Sequence, residues 1–94
     1  MKVDRAIKEY LRYIATSVGV SNNTLLNYRR YLTDFGGWAN SAKLKMIEDL
    51  DNEDVLEWQL SLKQRSQPLT NKSINYYLIA LRSLLKYLTN RDLA

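Results

Sequence analysis

Apolar side chains recur at three- and four-residue steps along nearly the whole chain, and little interrupts them: its 94 residues include three Gly and one Pro. That spacing is the period of one helix face, and so few turn formers would starve an all-β chain of its tight turns. The pattern predicts an all-α fold, a compact bundle of four main helices. The first segment runs from about Val3 to Ser17, with Val3, Ile7, Tyr10, Leu11, Ile14 and Val18 on its stripe and Gly19 placed to end it in a left-handed conformation. The second opens at Ser21, an N-cap whose hydroxyl can accept from a nearby amide, and continues through Leu25, Tyr28, Leu32, Phe35 and Ala39. Gly36-Gly37 should fray or bend it before Trp38, since each Gly costs a helix about 1 kcal/mol relative to Ala. Asn40 to Met46 reads as a loop. A third segment starts near Asp51, turns Val55, Leu56, Trp58, Leu60 and Leu62 inward, and ends around Arg65, before a break at Ser66-Gln67-Pro68. The fourth begins at Thr70 or Asn71 and runs to about Leu88, its core stripe being Ile74, Tyr77, Leu78, Leu81, Leu84, Leu85 and Leu88.

A chain of this length makes one domain, residues 1–94. Its hydrophobic fraction of 46% is enough for a core and argues against disorder. With no Cys, disulfides and thiolate metal sites are excluded, and with no His the commonest general base and metal ligand is missing. The sequence therefore predicts no catalytic centre, no metal site and no cofactor. Its apolar runs are far short of a membrane span, and Met1-Lys2-Val3-Asp4 does not lead into a signal-peptide core. The expectation is a cytoplasmic chain without a membrane partner.

Charge is unevenly spread. The net value is +4, yet six of the ten acids (Glu48, Asp49, Asp51, Glu53, Asp54 and Glu57) fall within ten residues that hold no base. The remainder carries all 14 bases against four acids, as expected of a protein with one side facing a polyanion. At 100° per residue, Lys72, Asn75, Tyr76, Ile79, Arg82, Ser83 and Lys86 form one contiguous stripe opposite the core of the fourth segment, without an acid. Such a stripe offers cations to phosphates, an amide to a base edge and an aromatic ring to sugar or base; an ordinary solvated face would carry one or two carboxylates. On the second segment Asn23, Asn27 and Arg30 share the outer face, Arg29 flanks the core stripe, and Asp34, the only acid, lies a turn further on. Ser21-Asn22-Asn23-Thr24 places hydroxyls and amides at a helix N-terminus able to receive a phosphate; a plain cap at Ser21 and an ordinary first-turn Thr24 account for the same residues equally well. Of the seven Tyr, Tyr10, Tyr28, Tyr77 and Tyr13 lie on or beside apolar stripes, while Tyr31, Tyr76 and Tyr87 read as exposed. A nucleophilic Tyr would need Arg, Lys and His around it. Asp51 and Asp54 read as acids of a helix N-terminus rather than an acid/base pair.

Ser21, Thr24, Tyr28, Leu32 and Phe35 make an SxxTxxxYxxxLxxF pattern that resembles the opening of the core-binding domain of tyrosine recombinases, the phage-integrase and Xer-like group. Residues Ile47 to Val55 resemble that family's LxxLTxEDV lead into its third helix, Leu69 to Asn75 its LSxxTINR turn, and Ala80 to Leu88 its ALRxFFxYL end. The resemblance spans about Ile7 to Leu93. It implies a four-helix SAM-like domain that clamps one side of a recombination site, with the second and fourth helices at the major groove of double-stranded DNA. By motif position it implies contacts from Ser21, Asn22, Thr24, Arg29 and Arg30, then Lys72, Ser73, Asn75, Tyr76 and Arg82; the faces described above add Asn27 and Lys86. Tyr76 stands where many members have Arg, and Gly36-Gly37 falls in a helix that is usually continuous. The family's Arg/Lys/His/Arg set and Tyr nucleophile belong to a second, C-terminal domain, so these residues are expected to be a fragment of a protein that assembles as a multimer on DNA, the arm alone being monomeric. Two other readings stay open. One is a helical protein-interaction module using residues 48–57 or an apolar patch around Trp38 and Trp58. The other is a standalone helix-turn-helix-like regulator, which should bind a palindrome as a dimer.

Overall fold

Side-chain caps mark where three of the four main helices start. In the computed structural model, which describes residues 1–65, 67 and 69–91, the elements are α1 (Val3–Ala15), α2 (Asn22–Ser41), a short 3-10 helix (Ile47–Asp49), α3 (Asn52–Gln64) and α4 (Asn71–Asn90). Ser21 Oγ accepts from the Thr24 amide at 3.1 Å, Thr70 Oγ1 accepts from the Ser73 amide at 3.2 Å, and Asp51 and Asp54 form a reciprocal capping box at 2.9 and 3.1 Å. Each such cap is worth about 1 kcal/mol. Ser66 and Pro68 of the expected break lie outside the described residues. The bundle of four main helices is the architecture that the sequence predicts.

The core is a single cluster contributed by all four helices and by Ile47. Trp58 of α3 is its largest fully buried side chain, packing edge-on against Phe35 of α2 at 5.0 Å and beside Tyr77 of α4 at 6.3 Å. Its indole N–H donates to Asp34 Oδ1 at 3.1 Å, so the one polar atom of this buried ring is satisfied. From α4, Ile74, Tyr77, Ala80, Leu81, Leu84 and Leu88 face the same interior.

Several expectations about faces need correction. Gly36-Gly37 does not end α2, which runs unbroken to Ser41, so Asn40 is helical and the loop starts at Ala42. Gly36 is buried where α1 crosses: a Cβ built there would lie 3.2 Å from Ile7 Cδ1. The packing of α1 onto that bare backbone holds together a turn that propensity alone would weaken. Val18 is fully exposed because α1 has ended at Ala15; Gly19, at φ +92°, turns the following loop instead. Leu56 and Leu60 of α3 are also exposed. The narrow Val55–Trp58–Leu62 stripe meets the bundle, and residues two positions from Trp58 lie about 200° around the helix. Tyr31 is buried, its ring 4.5 Å from that of Tyr77.

Candidate nucleic-acid interface

The basic side of the molecule is built on α4. This helix contains no carboxylate in its 20 residues. Lys72, Asn75, Tyr76, Arg82 and Lys86 are exposed on it, with Ser73 and Ser83 half-buried at the margin of the stripe. On α2 and its cap, Ser21, Asn22, Thr24, Arg29 and Arg30 are exposed and Asn27 is half-buried. Among the described residues the side-chain ion pairs are Arg5–Glu9 and Arg65–Asp34, so Arg29, Arg30, Lys72, Arg82 and Lys86 are left unneutralised.

The two helices begin with the same device. Ser21 Oγ donates to Thr24 Oγ1 at 3.0 Å, and Thr70 Oγ1 donates to Ser73 Oγ at 3.2 Å. Each of these hydroxyls keeps further hydrogen-bonding capacity for an external partner. The fold brings two of the expected contact residues together: Arg30 and Ser73 line one shallow cavity with Tyr31, Leu69 and Tyr77. The Arg30 guanidinium rests 5.4 Å from the centre of the Tyr31 ring, which limits where its charge can point. Lys86 lies elsewhere, lining a separate cavity against α1 with Tyr10, Tyr13 and Tyr87.

Sequence reasoning left Asp34 as a stray acid on the α2 face. In the structure both its oxygens accept from Arg65 Nη2, at 3.2 and 2.9 Å, in addition to the bond from Trp58. The carboxylate is thus directed at α3 and its charge is matched there. Arg65 is consumed by the same pair and drops out of the free cations. A Trp, an Asp and an Arg on two helices carry no local signal of this kind, because their separations of 24 and 31 residues match no helical spacing.

The other charge pole sits on α3. Asp51 and Asp54 are tied up as caps, whereas Glu53 and Glu57 are exposed beside Leu56 and Leu60. Trp58 is 0% exposed, so it supplies nothing to an apolar surface patch with the half-buried Trp38. No described helix is long and apolar enough to cross a membrane.

Residues 7–92 match the family model described as phage integrase, N-terminal SAM-like domain. The chain is 32% identical over 90 residues to the tyrosine recombinase XerD of Corynebacterium glutamicum, covering 93% of this chain and 30% of that protein. It is 34% identical over 87 residues to the tyrosine recombinase XerC of Psychromonas ingrahamii, covering 93% of this chain and 28% of that protein. It thus spans less than a third of the length of these curated relatives. A crystal structure of the N-terminal domain of a phage integrase/site-specific recombinase from Haloarcula marismortui superimposes with a TM-score of 0.86, at 19% identity, over 99% of this chain and 86% of that one.

Proposed function

This chain belongs to the phage integrase N-terminal SAM-like domain family, and from that premise we propose that it is the DNA-binding arm of a site-specific tyrosine recombinase, gripping duplex DNA through α4 and the start of α2. The observation that carries the proposal is the carboxylate-free α4 with Lys72, Arg82 and Lys86 exposed and, among the described residues, unpaired, while the clustered acids sit on and before α3. Lys72, Arg82, Lys86, Arg29 and Arg30 meet phosphates. The hydroxyls of Ser21, Thr24 and Ser73 and the amides of Asn22 and Asn27 add neutral backbone contacts. Asn75 and Tyr76 reach base or sugar edges. Strand cleavage belongs to a further domain of the parent protein, and this arm performs none of it. A protein that clamps DNA from two sides gains effective concentration from the second contact, so the arm by itself binds weakly, as a monomer, and with strong dependence on salt. The parent assembles as a multimer on its site, in the cytoplasm, where its substrate is.

The test is a binding titration of single variants on a mixed-sequence duplex at about 50 and 200 mM salt. Lys72→Ala and Arg82→Ala should each weaken binding on all sequences and lower the salt slope by about one unit. Glu53→Gln and Glu57→Gln should leave binding unchanged or slightly tighter, because they remove a field that repels phosphate. Parent-like binding by the α4 variants together with a loss in Glu53→Gln would place the contact surface elsewhere.

A further inference from the structure

The end of α4 carries a feature that a duplex-gripping helix face does not require. Tyr13 of α1 and Tyr87 of α4 lie with ring centres 4.7 Å apart and planes tilted by 35°, and Tyr10 closes the group at 5.4 Å from Tyr87 and 6.4 Å from Tyr13. The Arg91 guanidinium lies over both outer rings, 5.1 Å from Tyr13 and 5.0 Å from Tyr87. These residues line an open cavity of about 610 Å³ together with Ser83, Lys86 and Asn90. Among the described residues the charged groups in its lining are the cations Lys86 and Arg91. Tyr13 is 41% exposed, an unusual placement for an aromatic ring serving only the core.

Stacking surface, hydroxyl and amide edges, and two cations together match one chemistry: a flat heterocycle joined to a phosphate. A base stacks where the guanidinium now rests, since a ring face that holds a planar cation will also hold a planar base, and the displaced Arg91 is then free to meet the phosphate. Lys86 belongs both to this cavity and to the outer stripe of α4, so a strand that follows the basic face is led into the pocket. In duplex DNA the bases are stacked on one another and their ring faces are unavailable; only an unpaired nucleotide can present one. We propose that the Tyr10–Tyr13–Tyr87 pocket is a binding site for an unpaired nucleotide of a DNA strand, its base stacked on Tyr13 and Tyr87 and its phosphate held by Lys86 and Arg91. This extends the duplex reading above to a second form of the same polymer, and the two stand or fall on different variants.

The experiment compares two single strands of about 12 nucleotides carrying the same phosphates, an oligothymidylate and its abasic counterpart, alongside a duplex and thymidine monophosphate. The 94-residue chain should bind the oligothymidylate about tenfold more tightly than the abasic strand, and the monophosphate more weakly than either strand. Tyr13→Ala should erase the tenfold preference, Tyr13→Phe should keep it, and both should bind the duplex within about twofold of the parent. A parent melting temperature in Tyr13→Ala, whose ring is partly exposed, and in Arg91→Gln establishes that the fold is intact; Arg91→Gln should weaken both single strands alike. Equal binding of the thymidylate and abasic strands would overturn the proposal, as would a preference that survives Tyr13→Ala. Tighter binding of the monophosphate than of the strands would reassign the pocket to free nucleotides. Lys72→Ala and Arg82→Ala, read on the duplex alone, decide the other proposal independently.

Discussion

Two adjacent glycines in α2 allow a controlled measurement of how much one interhelical contact constrains this bundle. Gly36 and Gly37 occupy the same helix, so replacing either by Ala recovers a similar propensity gain of about 1 kcal/mol. Their surroundings differ. A Cβ at Gly37 meets nothing within 4 Å, whereas at Gly36 it would lie 3.2 Å from Ile7 Cδ1 and 3.7 Å from Asp4 Oδ1. Relaxing the Ile7 contact requires a shift of a few tenths of an ångström by a side chain that is itself buried. Inserting a methyl group into a packed site costs about 1–3 kcal/mol, which matches or exceeds the gain. Gly37→Ala should therefore be more stable than the parent by about 1 kcal/mol, raising the melting temperature by roughly 4–8 °C for a domain of this size. Gly36→Ala should be no more stable than the parent, and about 1–3 kcal/mol below Gly37→Ala. Urea unfolding followed by far-ultraviolet circular dichroism measures both, with unchanged m-values showing that the comparison concerns the folded state. Equal stabilisation by the two substitutions would refute the reasoning, because it would mean that α1 does not rest on the bare backbone at Gly36.

Asp34→Ala should cost about 1–3 kcal/mol in the same assay, because the buried Trp58 N–H loses its acceptor; near-parental stability would show that another group or water takes its place. Burial pushes the Tyr10 phenol above its ordinary value, against a smaller opposing effect of its hydrogen bond with Ser83. The folded state thus holds this proton longer than the unfolded chain, so its contribution is complete below about pH 10 and fades as pH rises through the folded value. Tyr10→Phe should flatten that alkaline decline in melting temperature, and an unchanged decline would assign it to other tyrosines or to Lys. Duplex affinity should fall with salt with a log–log slope of roughly −4 to −5 if about four to six cations meet phosphates; a flat response would remove the basic surface from consideration. Incubation with supercoiled or suicide DNA substrates should leave no covalent adduct, and a reproducible phosphotyrosyl product would end the assignment of strand cleavage to another domain.

What the sequence determined by itself is what depends on neighbours within one or two turns. Ser21, Asp51 and Thr70 mark the starts of α2, α3 and α4, because a cap is satisfied by an amide three residues away and needs no partner helix. The separation of α4 into a core stripe and a cation-bearing outer stripe follows in the same way from 100° per residue, and the clustering of six of the ten acids in residues 48–57 is read directly. Its limit is reached where a residue's fate rests on what lies across from it. Leu56 and Leu60 look inward on hydrophobicity, yet it is Val55, Trp58 and Leu62 that find a surface to meet. Tyr31 looks exposed, yet Tyr77 covers it; Gly36-Gly37 looks like a weak turn, yet α1 packs on it; Asp34 looks like a stray acid, yet Trp58 and Arg65 claim it. The tyrosine pocket is also of this kind, assembled from α1 and the end of α4, more than 70 residues apart in the chain. Periodicity fixes which side chains share a stripe, but burial is a property of two surfaces, and the second surface is supplied only when the helices pack.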